Sequence, residues 1–437
     1  MIKKLSLSNY RAFEEISLDF SKINLFFGPN NSGKSSLLSS INLLSQTLQS
    51  RDPNVPILLN GNLEELGTFR DIVFKNEVKR KIKIGVGVEL EIGRPYRTKE
   101  IVQDGYFQAE FKYRPRRRDI LLEGTETQMP IGITRLRTKS TSSGRYKFSF
   151  FGAKGEDITD KITRFKRKSA HFIPTLGFTG RFPQKQFQLI HDIFEFHFFW
   201  AEMIEGGLEY ICPFREFPKR TYLFSGESPD SVGIRGEKAI DMLAMDYLTK
   251  GKEKQNIIDN VSNWLNQCDI SSNVEVVTLT DRHYEIRLSH SRTGESENLA
   301  DVGFGCSQIL PILIAGFNLK KGQILIVEQP EIHLHPKAQA ELGSFFCDLS
   351  KRNIQTFIET HSEHLLLRIQ THIAAGDINP EDVKVYYVFA NKETDRKEVE
   401  EIKLNKNGTF LTEWPEGFFP ERLVEVKKIA KASLKGK

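Results

Sequence analysis

The run Gly28-Pro29-Asn30-Asn31-Ser32-Gly33-Lys34-Ser35 has the residue types and spacing of a polyphosphate cradle, GxxxxGK[ST]. It follows the apolar run Ile23 to Phe27 and opens a stretch of helical composition from about Gly33 through Leu48, which is the setting the motif needs. Gly28 and Gly33 let the backbone curl until several N–H groups face one anion. The helix that starts there adds its positive end. Lys34 would neutralise the outer phosphates of ATP, and Ser35 would put its hydroxyl on Mg2+. Asn30, Asn31, Ser32, Gly33, Lys34, Ser35 and Ser36 are therefore the expected nucleotide-binding residues.

A second chemical signal is QILIVEQPEIHLHP, residues 323–336. An apolar strand ending in an acid brings Glu328 to the carboxyl edge of a parallel sheet, where such sheets bind ligands. There the carboxylate can hold Mg2+ directly or through water. The next position, where a second carboxylate that polarises the attacking water is usual, is Gln329. An amide orients water but does not take its proton. Three readings stay open: slow hydrolysis, Glu331 as the base, or an engineered Glu-to-Gln exchange that traps ATP. His333 and His335 suit a metal pair on an extended loop, or a loop that shapes a contact between copies, and no third ligand stands at a recognised spacing.

A third signal is DVGFGCSQ, residues 301–308, where two glycines, Ser307 and a helix start form another anion-binding turn. One ATP does not need two cradles from one subunit. Gly305, Ser307 and Gln308 are therefore expected to face the ATP of another copy. In THSEH, residues 360–364, His361 follows an apolar strand and would reach the γ-phosphate, the alternative being a surface or capping role.

Positioning these groups requires strands that alternate with helices. Strands are expected at 323–329, 354–360 and 383–389, and helices at 236–266, after Gly305, at 336–350 and at 362–375. That rhythm implies a largely parallel sheet covered on both faces. Four zones follow: an N-terminal core part at 1–74, an insertion at 75–230 that is β-rich and then helical, a returning core part at 231–395, and an extension at 396–437. No sustained heptad run is present, so no long coiled coil is expected.

Taken in order, NYRAF, GPNNSGKSS, DVGFGCSQILP, VEQPEIHLHP and ETHSEH resemble the RecF/SMC/OLD-like branch of ABC-type ATPases. The resemblance implies an ABC-type P-loop NTPase head. It carries over a Walker A motif at 28–35, a signature at 303–308, Walker B at Glu328, a D-loop near 331–336 and a switch histidine at His361. A Q-loop is expected in 66–74, which has no glutamine. The segments PFREFPKRTY, SVGIRGE, LHPKAQAEL and WPEGFF are similar to a RecF-like family with a short C-terminal extension, in which glutamine after the Walker B acid is frequent. Several of its members are ATPase subunits of bacterial anti-phage systems, Septu-type and retron-associated, whose partner is an HNH nuclease. By analogy this implies a homodimer or larger oligomer with an effector nuclease on a separate chain.

Composition narrows the alternatives. There is no apolar run of membrane-spanning length and no leader-like N-terminus, so a cytoplasmic protein is expected. The cysteines Cys212, Cys268, Cys306 and Cys347 are scattered, which fits a reducing compartment and neither a disulfide frame nor a zinc site. The net charge of +5 leans only mildly towards polyanions. Two basic clusters, Lys112 to Arg118 and Lys161 to Lys168, suit a nucleic-acid backbone, a solvated loop, or an acidic protein. FEFHFFW at 194–200 is either insertion core or a partner surface. No HNH pattern or acidic nuclease cluster is present, so nuclease activity is expected from a partner. The rival readings are a RecF-like repair ATPase that acts on DNA itself, and a nearly inactive ATP-binding structural subunit.

Overall fold

The computed structural model describes all residues except 93–100, 131–134, 142–145, 153, 160–164, 179–183, 225, 227–228, 250–255, 291–292, 392–393, 395, 413–427 and 429–437. Its centre is a six-stranded sheet built from distant parts of the chain. The strands are β3 (Ile23–Phe27), β11 (Leu208–Ile211), β16 (Ile324–Glu328), β17 (Gln355–Glu359), β18 (Val383–Ala390) and β19 (Lys397–Ile402). They lie in the order β11-β16-β17-β3-β18-β19, and every pair is parallel except β18 with β19. The three fully apolar-flanked strands β3, β16 and β17 are buried along their whole length, as a parallel sheet covered on both faces requires.

Alternation along these strands feeds two cores. Phe26, Ile324, Ile326 and Phe357 enter one, while Leu25, Phe27, Leu325, Val327 and Ile358 enter the other. Helix α1 (Lys34–Leu48) fills the first core, between the central sheet and a seven-stranded antiparallel sheet. It is buried almost all round, and several of its polar side chains are hydrogen-bonded. Ser40 and Thr47 donate to carbonyls of their own helix, and Gln46 donates to the Leu58 carbonyl. The second core is covered by α4 (Ala239–Leu248), α5 (Ile257–Gln267), α6 (Phe304–Asn318), α7 (Pro336–Lys351) and α8 (Glu363–Ala374). A small sheet of β12 (Tyr222–Leu223), β13 (Asn273–Thr278), β14 (His283–Ser289) and β15 (Ser296–Asn298) adjoins it.

The antiparallel sheet runs β2 (Phe13–Asp19), β1 (Ile2–Tyr10), β4 (Ile82–Ile92), β5 (Ile101–Arg114), β6 (Asp119–Gln128), β7 (Arg135–Ser140) and β8 (Tyr146–Phe151). This differs from the zones expected from sequence. β4 pairs directly with β1, so the sheet runs across the boundary at 74, and β11 returns to the central sheet before 230. The cause is the alternation in IKIGVGVELEI, whose Ile82, Ile84, Val86 and Val88 make one apolar face that closes on the same core as Leu5 and Leu7. The single helix expected at 236–266 is two helices, and Asn256, in the left-handed region at φ 57°, sets the start of the second. A short α2 (Phe69–Ile72) occupies the expected Q-loop region.

The strands β9 (Phe165–Ala170) and β10 (Ile173–Phe178) form a separate ribbon, and α3 (Gln184–Glu205) packs over the antiparallel sheet. FEFHFFW lies on α3 and divides by helical face. Phe196, His197 and Trp200 are buried, whereas Phe198 is exposed. The His197 ring is in hydrogen-bond contact with the Thr127 hydroxyl at 2.7 Å and sits among Phe107, Phe194 and Phe196. Burial pushes its pKa from 6.5 down to about 3. The unfolded chain therefore takes up this proton near pH 6.5 while the folded chain resists it. The contribution of His197 is complete above pH 6.5 and is lost as pH falls towards 3. Urea titrations of wild type and His197→Leu should show a stability difference that moves in favour of the variant across that window. A difference constant with pH would refute a buried neutral imidazole.

Candidate nucleotide site

The loop after β3 is shaped by two close approaches. Gly28 has φ 144°, and a Cβ there would stand 2.0 Å from the Val388 carbonyl oxygen on β18. Gly33 has φ 111° and lies against Ala12 and Phe13. Only glycine permits both the dihedral and the contact. Asn30 and Asn31 are exposed at the turn, and Asn31 is itself left-handed. Ser32 and Ser36 are buried, and the Ser32 hydroxyl has no hydrogen-bond partner among the described residues. Helix α1 has no side-chain cap and no acid in its first turn, so its positive end is open to an anion.

Lys34 is nearly buried, and its Nζ donates to the carbonyls of Gly28 at 2.9 Å and Pro29 at 3.0 Å. It also stands 3.7 Å from Glu359 Oε1, while the Ser35 hydroxyl donates to Glu359 Oε2 at 2.9 Å. Glu359 ends β17 as Glu328 ends β16, and the two are register partners. Three adjacent strand ends thus bring Lys34, Ser35, Glu328 and Glu359 together. Tyr210 on β11 donates to Glu328 Oε1 at 2.9 Å. Burial, followed by the charge of Glu359, pushes the Glu328 pKa up to about 7. Burial also raises Glu359 and Glu64, and it lowers Lys34 against the pull of Glu359. Too little positive charge faces these carboxylates, so a cation suits the site. Among the described residues no three His, Cys, Asp or Glu side chains form a self-contained metal cage. An oxygen pair such as Ser35 and Glu328 instead fits Mg2+ delivered with phosphates, which keeps few protein ligands. The open helix end, the unpartnered Ser32 hydroxyl and the glycine-shaped loop all fit a nucleotide polyphosphate.

Beyond β16 the chain bends sharply. Gln329 takes φ 46°, and its N–H donates to the Glu359 carbonyl at 2.7 Å. Glu331 is engaged by the switch segment: Thr360 Oγ1 donates to one oxygen at 2.8 Å and the His361 N–H to the other at 2.6 Å. Its carboxylate thus ties two loops together, which speaks against a free base. His361 is exposed, and desolvation, then the charge of Lys34, lowers its pKa. His335 caps α7 by accepting from the Lys337 N–H, and His333 lies edge-on to Phe304.

Gly305, Ser307 and Gln308 do not join Lys34. They lie on α6 in the second core, across the central sheet from α1. A Cβ on Gly305 would meet the His333 carbonyl oxygen at 2.4 Å, so the turn at 331–336 lies against the head of α6. Ser307 and Gln308 are buried, with Ser307 Oγ donating to the Phe304 carbonyl at 2.9 Å, while Gly303 is exposed.

Sequence reasoning missed Glu359, Tyr210 and Glu64. Glu359 carried the same signal as Glu328, an apolar strand closed by an acid. The other two had none, because they reach the site from distant segments.

A parallel central sheet, a glycine-shaped phosphate loop and acids at the two neighbouring strand ends define an α/β P-loop ATPase fold. The chain belongs to the family described as "AAA domain, putative AbiEii toxin, Type IV TA system", which matches residues 23–368. A second model, a protein of unknown function designated DUF3696, matches residues 378–429. The DNA replication and repair protein RecF of Enterococcus faecalis is 46% identical over 54 residues, which span 12% of this chain and 14% of that protein. Among solved structures, the SMC head bound to the C-winged helix domain of ScpA is similar at 14% identity and a TM-score of 0.45, covering 93% of this chain and 98% of that one. The SMC head domain from Thermotoga maritima is similar at 10% identity and a TM-score of 0.38, covering 92% and 99%. The family implies ATP hydrolysis in general terms, with Mg2+ its usual companion.

Removing one member of a buried ion pair strands the other. Lys34→Ala should therefore destabilise the nucleotide-free protein by about 3 kcal/mol, and the double variant Lys34→Ala/Glu359→Gln should recover most of the loss. Chemical denaturation measures both. A double variant no more stable than the single one would show that Glu359 is not the partner of Lys34.

Proposed function

We propose that this protein is an ATP-dependent switch whose nucleotide site is completed by a second copy, and that its ATP state controls an effector nuclease on a separate chain in bacterial anti-phage defence. The observation that carries the shared site is the placement of α1 and α6 on opposite faces of one sheet. The anion-binding turn at 301–308 cannot then serve the loop of its own chain, and a head-to-head pair would give each nucleotide one turn of each kind. The nuclease and the defence role rest on the family resemblance of the motifs.

In this reading Asn30, Asn31, Ser32, Gly33 and Ser36 shape the cradle and Lys34 binds the outer phosphates. Ser35 and Glu328 hold Mg2+, which would neutralise charge on the phosphates. Gln329 orients water without accepting its proton, which suits slow turnover and a long-lived closed state. His361 stands at the γ-phosphate side, its neutral ring able to donate a hydrogen bond. Gly305, Ser307 and Gln308 face the nucleotide of the other copy. A switch of this kind needs the closed pair to bind ATP more tightly than the open monomer. The cytoplasm is the compartment in which such a pair would work.

A second reading, a RecF-like ATPase acting on DNA, is favoured by the tip of the β5–β6 hairpin. There Arg114 pairs with Asp119, while Arg116, Arg117 and Arg118 are exposed. In the other basic cluster, Lys161 and Arg164 lie outside the described residues, and the side chains of Lys166, Arg167 and Lys168 are likewise not described. Reversing the charge of the three hairpin arginines should abolish salt-sensitive DNA binding if this reading holds.

Light scattering separates the main proposal from a constitutive assembly. The mass should double, or rise by a larger whole multiple, on addition of ATP and Mg2+, and Lys34→Ala should abolish the rise. A mass indifferent to both ATP and the substitution would overturn the shared-site switch.

A further inference from the structure

The segment Pro213–Phe217 reverses the usual partition of side chains. Phe214 and Phe217 are 79% and 76% exposed, whereas Arg215 between them is only 5% exposed. Folding alone favours the opposite arrangement, since burying a cation is costly and burying a phenyl ring is favourable. The buried guanidinium sits at the bend that follows β16. Its Nη2 donates to the Glu328 carbonyl at 2.9 Å and reaches the Gln329 carbonyl at 3.4 Å. Its other two nitrogens, Nε and Nη1, are buried and have no hydrogen-bond partner among the described residues. The charges it feels are those of Cys212, Glu331 and Glu328, and both Glu331 oxygens are already engaged by Thr360 and His361. Desolvation lowers its pKa from 12.5 to about 10, so it stays charged at neutral pH.

A fixed planar cation with unpartnered, buried donors is the arrangement that binds phosphate oxygens. The anion expected there is set by the surroundings. Arg215 touches the backbone of Glu328, whose side chain lies in the field of Lys34, and of Gln329, the residue beside the attacking water in the reading above. We propose that Arg215 is an anion-binding and positioning residue of the nucleotide site: one arm fixes the Glu328–Gln329 bend, and its two free arms take oxygens of the terminal phosphate of ATP. The inference rests on the ATP-site reading and adds to it a residue that lies in none of the phosphate-loop, signature, acidic-strand or switch motifs. It also assigns a consequence: Arg215 distinguishes ATP from ADP, because only ATP carries the phosphate that the free arms would hold.

The test is calorimetric titration of the full chain with Mg2+ and either a non-hydrolysable ATP analogue or ADP, for wild type, Arg215→Lys and Arg215→Met. Arg215→Lys keeps the charge and loses the planar fork, so it answers the question even where Arg215→Met fails to fold. The expected result is ~10-fold weaker binding of the analogue with ADP affinity within ~2-fold of wild type, as the loss of a charge-assisted hydrogen bond implies. A merely structural role would weaken both ligands together or neither. Folded variants that keep the wild-type ratio of the two affinities overturn the proposal alone. A wild type that binds neither nucleotide overturns the ATP-site reading and this inference with it.

Discussion

The structure depends on keeping the charge of Lys34 out of water. Its ammonium lies between two backbone carbonyls of its own loop and the carboxylate of Glu359, at the ends of three neighbouring parallel strands. Several features follow from that burial. The loop must curl closely enough for its carbonyls to reach Nζ, which demands glycine at 28 and 33. The strands must stop level with one another so that their acids converge. Helix α1 must be sealed on all sides, which is why a second, antiparallel sheet lies over it. A nucleotide that drew Lys34 towards its phosphates would exchange one set of oxygen partners for another.

The same burial unbalances the acids. Glu328 and Glu359 stand side by side with Glu64 and Tyr210 close by, and the protein alone supplies too little positive charge for them. Such a site is strained electrostatically until cations arrive. The loops beyond the strands spread this condition outwards: Glu331 binds the switch segment through Thr360 and His361, and the turn at 331–336 lies against the head of α6. The phosphate loop, the Thr360–His361 segment and the turn at the head of α6 are therefore joined by contacts no longer than a hydrogen bond or a ring contact, although they occupy different layers.

How much of this was legible in the sequence follows the range of the interactions. The strand, loop and helix around Lys34, and the strand ending at Glu328, are written in consecutive residues and could be read directly. Glu359 obeys the same rule as Glu328, an apolar strand closed by an acid. Tyr210 and Arg215 reach the site only because β11 pairs with β16 more than a hundred residues on, and no local pattern announces a pairing partner. The pairing of β4 with β1 across position 74 was hidden for a related reason. Alternation reveals that β1 and β4 each have an apolar face, but not that they share a sheet.

The neighbour that confines Gly28 has a temporal consequence. Val388 belongs to β18, and β3 lies between β17 and β18. On the ribosome β3 and the phosphate loop are made before their two flanking strands, which follow more than three hundred residues later. At ordinary rates of synthesis, roughly 5–20 residues per second, β3 waits on the order of tens of seconds as an unpaired apolar strand. During that interval the nascent chain has no cradle to offer a nucleotide. Competence to bind therefore arrives late and all at once, and a chaperone that shields Ile23 to Phe27 would be shielding the future catalytic centre.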